Sequence, residues 1–145
     1  MRRAAAILAL CGLVLAAAAA AAAAPPAKRP SGTYSGDAGN FTMIVAGRAI
    51  DLAAFEFPCP GTTGRTSINR IPIRKVRGVW RFSIRTYGSA TYADDHPDEN
   101  VRIRFSGRFS PSGKVAVGRL TVSSPHCGRG KATRWSAHRR EPQTL

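Results

Sequence analysis

The stretch VRIRFSGRF, residues 101–109, places apolar and arginine side chains in alternation. Its valine, isoleucine and first phenylalanine share one side of an extended chain, and Arg102 and Arg104 share the other. Successive side chains of a β-strand point to opposite faces. The alternation therefore predicts a strand with a buried apolar face and an outer face that carries arginine.

The same alternation recurs along most of the chain, and no window has a convincing helical period. The other segments that carry it are GTYSGDAG, FTMIVAG, AIDLAAFEF, INRIPIRK, VWRFSIRT, KVAVGRLTVSS and ATRWSAHRR. Glycine, proline, asparagine and serine clusters separate them, as turns require. About eight short strands with frequent turns predict an all-β fold, either an antiparallel flattened barrel or a sandwich.

The alternation also assigns side chains to the two faces of individual strands. In AIDLAAFEF we expect Ile50, Leu52, Ala54 and Phe57 to face the core. In INRIPIRK we expect Ile71 and Ile73 to share the inner face, opposite Arg70 and Arg74. Pro72 indicates an edge position, because proline cannot donate to a sheet ladder. In VWRFSIRT and ATRWSAHRR the aromatic side chains face inward, opposite arginine, serine and histidine.

The N-terminal segment has the layout of a secretory signal peptide over residues 1–24. A positively charged start precedes a long uncharged alanine-rich run that ends in small residues, and cleavage is expected near Ala24. A retained membrane-anchoring helix is the less favoured alternative. The remaining chain is predicted to form a flexible lead-in at 25–31, one all-β domain at 32–140 and a tail at 141–145. The protein is thus expected to be secreted or periplasmic.

Two cysteines, Cys59 and Cys127, remain after the signal segment. In an oxidising compartment an isolated pair predicts one disulfide. Two cysteines alone are too few for a structural zinc site. The disulfide favours a flattened barrel or sandwich, because consecutive strand pairing in a round barrel would place these cysteines on opposite walls. Loops that cross the mouth of a barrel are the alternative way to bring them together.

The chain is strongly basic, with a formal net charge of +14. Without the signal segment it holds 20 basic and 8 acidic residues, and 16 of the 20 are arginine. Arginine keeps its charge and binds carboxylate or phosphate through a planar fork. This balance suggests an anionic partner, such as surface polysaccharide or a membrane surface of lipid headgroups. Genome-wide composition bias is an alternative source of the arginine.

The chain resembles a group of short, arginine-rich secreted bacterial proteins. The resemblance rests on an early Gly-Thr-Tyr-x-Gly, the cysteine pair, the segment FSGRFSPSGKVAVGRL and a terminal RWSAHR, and it covers most of residues 31–140. It implies a fold and a compartment, and it transfers no activity, cofactor or site residue. His138 stands where that group usually has arginine.

We predict no catalytic residue, no metal site and no cofactor. The histidines lie in turns or near the end of the chain, and no Gly-x-Ser-x-Gly nucleophile motif is present. The acidic segment DDHPDE offers oxygen ligands suited to calcium but lacks the spacing of a calcium loop, which favours a solvated hairpin tip. Nucleic acid is an unlikely partner, because the aromatic residues alternate away from the arginines.

The candidate binding site is the arginine face of the predicted sheet. If the strands pair in sequence order, six guanidinium groups share one surface, those of Arg70, Arg74, Arg81, Arg85, Arg102 and Arg104. Like charges that face each other across strands cost stability. We therefore predict a non-catalytic domain that binds an anionic partner through this face. The alternatives are a small-ligand-binding barrel, a hydrolase with an unrecognised site and a purely structural envelope protein.

Overall fold

A computed structural model describes residues 24–36, 40–94 and 97–141, and these residues form nine β-strands. The strands are β1 (Gly32–Gly36), β2 (Phe41–Ala46), β3 (Ala49–Cys59), β4 (Thr62–Pro72), β5 (Arg74–Val76), β6 (Val79–Tyr92), β7 (Pro97–Phe109), β8 (Val115–Ser123) and β9 (Thr133–Arg139). The predicted signal peptide lies outside the described residues apart from its last position. No helix among the described residues is long and apolar enough to cross a membrane.

The strands close into an antiparallel barrel of eight strands with β5 as an extra edge strand. The order is β4-β3-β2-β1-β9-β8-β7-β6-β5, and pairing of β4 with β6 closes the ring. That closing ladder is short, because only residues 64–66 of β4 pair with residues 90–92 of β6. Farther along, β5 pairs with the start of β6. The prediction of an all-β flattened barrel or sandwich is confirmed in its barrel form, and β4 beyond Thr66 pairs with β3 alone, as Pro72 suggested.

The barrel interior is filled by aromatic rings from opposite walls. Phe41 on β2 and Phe105 on β7 belong to strands that face each other across the ring, yet their ring centroids are 5.9 Å apart. Phe55 and Trp135 stack on Phe105 at 5.6 and 5.2 Å. An eight-stranded barrel is just wide enough for side chains to fill. The inward orientation predicted for the aromatic side chains of Trp80, Phe82, Phe105 and Trp135 is confirmed.

The face assignment within β3 is wrong for Leu52 and Ala54. The register with β2 shifts between Ile44 and Val45, so that Asp51 is an extra residue on β3. Such a bulge exchanges the two faces of the strand beyond it. Ile50 is buried as expected, but after the bulge the buried positions are Ala53, Phe55, Phe57 and Cys59.

The predicted disulfide between Cys59 and Cys127 is present, with a Cα–Cα distance of 5.0 Å. Cys59 ends β3, and Cys127 lies in the turn that Ser124 and Gly128 close after β8. Since β3 and β8 occupy opposite positions in the strand order, this turn folds across one end of the barrel. The bridge therefore joins two walls that no hydrogen-bonded ladder connects.

Part of the predicted lead-in packs against the other end of the barrel. The Lys28 amide donates to the Pro111 carbonyl at 2.9 Å, and Pro30 is fully buried. The Trp80 indole N–H donates to the Ala27 carbonyl at 3.4 Å, and the Arg29 guanidinium lies 5.5 Å from the Trp80 ring centroid. These contacts attach the segment before β1 to the turn after β7 and to the start of β6.

Candidate anion-binding surface

The outer face of β5 to β9 carries a continuous array of arginines, which we call the arginine lattice. Strand partners share a face, and outward positions on each strand recur every second residue. The lattice consists of Arg74, Arg81, Arg85, Arg102, Arg104, Arg108, Arg119 and Arg134. All eight side chains are exposed.

Four cross-strand positions of the lattice pair one arginine directly with another. The pairs are Arg74 with Arg81, Arg81 with Arg108, Arg85 with Arg104, and Arg119 with Arg134. Among the described residues, the cross-strand partners of the eight arginines include no carboxylate, and the ion pairs seen elsewhere in those residues involve none of the eight. The lattice is therefore a concentrated positive surface without internal compensation.

The structure brings five of the six predicted binding residues together and leaves one outside the ladders. Arg74, Arg81, Arg85, Arg102 and Arg104 belong to the lattice. The sixth, Arg70, lies on β4, where pairing with β6 has ended at Thr66. Its φ of 56° interrupts the regular strand between Ile68 and Ile71. Register thus gives Arg70 no lattice neighbour.

A groove of about 790 Å³ crosses the lattice from β6 to β9. Two rows of outward residues border it, and each row follows the strand pairing. The first row is Arg81, Arg108, Val117 and Ser136, and the second row is Ser83, Ser106, Arg119 and Arg134. From the usual sheet spacings the rows are about 14 Å long and lie about 7 Å apart.

Two paired glycines, Gly107 and Gly118, lie between the rows and shape the base of the groove. A Cβ atom at Gly107 would lie 2.7 Å from ring atoms of both Phe82 and Trp135, and one at Gly118 would overlap the Ser106 carbonyl oxygen. Only glycine fits at these positions. The rings of Phe82 and Trp135 pack against the glycines from the interior and close the base of the groove.

Sequence reasoning missed Arg108 and Arg119 as site residues, although it noted that Arg134 faces outward. The signal was present, because Arg108 continues the alternation of the opening segment. Arg119 similarly alternates with Leu120, which is buried. Alternation alone does not predict the strand register, and the register makes Arg108 and Arg119 neighbours of the other lattice arginines.

Tyr87 is an exposed aromatic residue on the arginine face, which the sequence analysis did not anticipate. Its side chain is 67% exposed, and it pairs across strands with Arg102. The Arg102 guanidinium lies 5.7 Å from the Tyr87 ring centroid, within cation–π range. The four aromatic residues expected to alternate away from the arginines do so, and Tyr87 is a fifth that shares the face of the arginines.

A second polar cluster lies beside the disulfide. The Tyr92 hydroxyl donates to Asp98 Oδ2 at 2.9 Å and lies 2.7 Å from Ser124 Oγ. The His126 amide donates to the same Asp98 oxygen at 3.2 Å, and the Cys127 amide donates to Ser124 Oγ at 2.9 Å. These contacts fix the turn that carries the disulfide.

Burial and hydrogen bonding set the pKa values in this cluster. Burial raises the pKa of Tyr92. Desolvation also acts to raise the pKa of Asp98, but hydrogen bonds from Tyr92, the His126 amide and Ser124 outweigh it and lower the pKa below its usual value.

The cluster does not have the geometry of a hydrolytic triad. His126 Nε2 lies 3.4 Å from Asp94 Oδ2, whereas the Ser124 hydroxyl contacts Tyr92 and the Cys127 amide. A triad needs the nucleophile hydrogen-bonded to the base. Within the described part of the chain, no group of three metal-ligating side chains converges. The acidic hairpin tip weighed as a calcium loop includes Asp95 and His96, which lie outside the described residues.

Comparison with protein-family models, curated proteins and solved structures finds no match for this chain. The resemblance to arginine-rich secreted proteins stays a prediction. The assignment of the candidate site therefore depends on the geometry of the arginine lattice alone.

Proposed function

We propose that this protein is a non-catalytic domain that binds an anionic polymer through the arginine lattice. The observation that carries the proposal is the direct pairing of arginine with arginine at four cross-strand positions, where no carboxylate of the described residues is a strand partner. Such a face is unfavourable by itself and becomes favourable when an anion covers it. Guanidinium forks suit the carboxylate or phosphate groups of such a polymer.

The filled interior supports a surface site over a ligand held inside the barrel. A small-ligand carrier needs an apolar lumen, whereas here rings from opposite walls are in contact. The large groove lies on the outer face and is bordered by four arginines. The proposal therefore places the partner outside the barrel, across strands β6 to β9.

A secreted or periplasmic location is part of the same proposal. The disulfide is compatible with an oxidising compartment. The signal-peptide pattern of residues 1–24 supports export. In that location the lattice faces the anionic polymers of the cell surface.

The test is binding of the purified protein to polyacrylate, a linear carboxylate polymer, measured by titration calorimetry at two salt concentrations. We expect binding at about 20 mM salt that weakens strongly at about 200 mM, because the screening length falls severalfold over this range. Uncharged dextran is the control polymer and should not bind at either concentration.

Paired variants connect the binding to the lattice. Arg85→Ser/Arg104→Ser removes two lattice charges, and Arg48→Ser/Arg129→Ser removes two exposed charges outside it. We expect the first variant to lower affinity about threefold or more and the second to change it less than twofold, as surface ion contacts are individually weak. Absent binding at low salt, or equal losses in both variants, contradicts the proposal.

A further inference from the structure

We infer that the anionic polymer is an acidic polysaccharide and that the groove binds two consecutive carboxylated sugars. The inference rests on the proposed function and deepens it, by assigning the ligand class and the recognition subsite. It follows from how cations, hydroxyls and rings are distributed around the groove.

The arginines of the groove change sides halfway along it. On β6 and β7 the cations, Arg81 and Arg108, are in the first row and face the hydroxyl residues Ser83 and Ser106 in the second. On β8 and β9 the cations are in the second row, opposite Val117 and Ser136. A linear ligand between the rows thus meets two guanidinium groups on one side and then two on the other.

This diagonal arrangement matches a chain of carboxylated sugars joined by equatorial 1,4-linkages. Consecutive sugars in such a chain are turned over relative to each other, so their carboxylates project to opposite sides. One carboxylate would reach Arg81 and Arg108, and the next would reach Arg119 and Arg134. Two guanidinium groups converging on one carboxylate are the strong form of this contact.

The remaining lining of the groove suits a sugar better than a bare anion. Hydroxyl-bearing residues from both rows match the hydroxyls of a pyranose ring, and hydrogen bonds to them fix orientation. The exposed side chain of Val117 and the base at Gly107 and Gly118, which carries no side chains, offer an apolar surface for the C–H face of a sugar. The groove volume lies within the range of small-molecule sites.

The same features disfavour single-stranded nucleic acid and a lipid surface. Binding of single strands combines a cationic track with a succession of exposed aromatic platforms, one for each stacked base. On the described lattice face, Tyr87 is the one large exposed ring. A membrane surface presents headgroups in a plane and would contact the outer lattice rather than a groove whose base lies between two rows.

The experiment measures binding of polymannuronate, a 1,4-diequatorial polymer with one carboxylate per sugar, to the wild-type protein and two charge-matched variants. Arg108→Ser/Arg119→Ser removes one cation from each side of the groove. Arg85→Ser/Arg104→Ser removes two lattice cations outside it. We expect the groove variant to lose at least tenfold in affinity and the variant outside the groove to lose about threefold. Charge-assisted contacts that converge on one carboxylate contribute more binding free energy than isolated exposed ones.

A charge-neutral variant separates sugar recognition from attraction between charges. Ser83→Ala/Ser106→Ala leaves every cation in place and removes two hydroxyls from the groove. We expect it to weaken polymannuronate binding about threefold or more and to leave binding of polyacrylate unchanged, since that polymer has no hydroxyls to pair. Circular dichroism and thermal unfolding confirm that each variant is folded.

The outcomes distinguish this inference from the proposed function. The groove assignment is overturned if the two arginine variants lose the same affinity for polymannuronate and the wild type binds polyacrylate and polymannuronate equally well. That result would leave the general binding of anionic polymers intact. The polysaccharide assignment is overturned if single-stranded oligothymidylate, or vesicles with anionic phospholipid, bind more tightly than polymannuronate at the same concentration of negative charge. Binding of none of these polymers overturns the proposed function itself.

Discussion

Arg85 and Arg104 face each other directly across β6 and β7, and neither is paired with a carboxylate of the described residues. Arg65, on another wall, instead donates to Glu56 Oε1 at 2.7 Å. Unlike charges across strands stabilise a sheet and like charges destabilise it. The same residue type thus has opposite effects at the two places, and under the proposed function the arrangement at Arg85 serves binding rather than folding.

We predict that Arg85→Thr stabilises the free protein by about 0.2–1 kcal/mol at low salt, because it removes one like-charge pair and keeps a strand-favouring residue. Denaturant unfolding at about 20 mM and 500 mM salt measures the effect, which should shrink at the higher concentration. The control Arg65→Thr should lower the free energy of unfolding by up to about 1 kcal/mol. The effect is small because the Arg65 guanidinium is largely exposed. Destabilisation by Arg85→Thr that persists in high salt contradicts the prediction.

Asp98 gives the disulfide end a pH dependence. Its pKa is lowered, since the hydrogen bonds from Tyr92, the His126 amide and Ser124 outweigh desolvation. A carboxyl with a lowered folded-state pKa stabilises the fold above its unfolded-state pKa, and this contribution is lost as the pH falls through the folded-state value.

We therefore predict that Asp98→Asn lowers Tm at neutral pH and that its difference from the wild type narrows as the pH falls from about 5 to about 2. Thermal unfolding at intervals over this range measures the difference. A difference in Tm that stays constant, or that widens as the pH falls, shows that the ionised Asp98 carboxylate does not stabilise the fold.

At the scale of the strands, Gly107 and Gly118 allow β7 and β8 to approach the rings of Phe82 and Trp135 closely. Their flanking outward residues, Arg108 and Arg119, border the groove from opposite sides. The glycines therefore connect core packing with the shape of the binding surface.

We predict that Gly118→Ala destabilises the protein by about 2 kcal/mol or more, because the added methyl group overlaps the backbone of β7. Gly88→Ala on β6 is the control, since its Cβ would lie 3.2 Å from Ile103 Cδ1, the end of a flexible side chain. Gly88→Ala should lower the free energy of unfolding by less than about 1 kcal/mol. Equal unfolding free energies for the two variants argue against close packing at Gly118.

Most strands could be predicted from two-residue alternation, because this pattern is a local property of neighbouring residues. The prediction fails at Leu52 and Ala54, where the extra residue Asp51 exchanges the two faces of β3. A bulge leaves no clear signal in the alternation of a strand as apolar as this one, whose outward positions also hold alanine and leucine.

At the scale of the molecule, the disulfide joins β3 to the turn after β8, across the barrel from each other. Cys59 and Cys127 are 68 residues apart in sequence, so the bridge removes considerable freedom from the unfolded chain. We predict that Cys59→Ala/Cys127→Ala lowers the free energy of unfolding by about 4 kcal/mol.

Denaturant unfolding with and without a reductant measures this effect, and the double variant should not respond to the reductant. Its affinity for polyacrylate should match that of the oxidised protein, because the lattice lies on outward positions of β5 to β9. A wild type whose stability is the same in both redox states contradicts the predicted contribution.

The sequence by itself determined the all-β class, the disulfide and the outward orientation of Arg102 and Arg104, since side-chain alternation and cysteine count require no knowledge of distant residues. The tertiary structure decided which arginines are neighbours. Arg119 and Arg134 meet only because β8 and β9 pair in one register, and Arg70 is left out because β4 separates from β6. Register depends on core packing and turns summed over the whole barrel, and therefore no single segment specifies it.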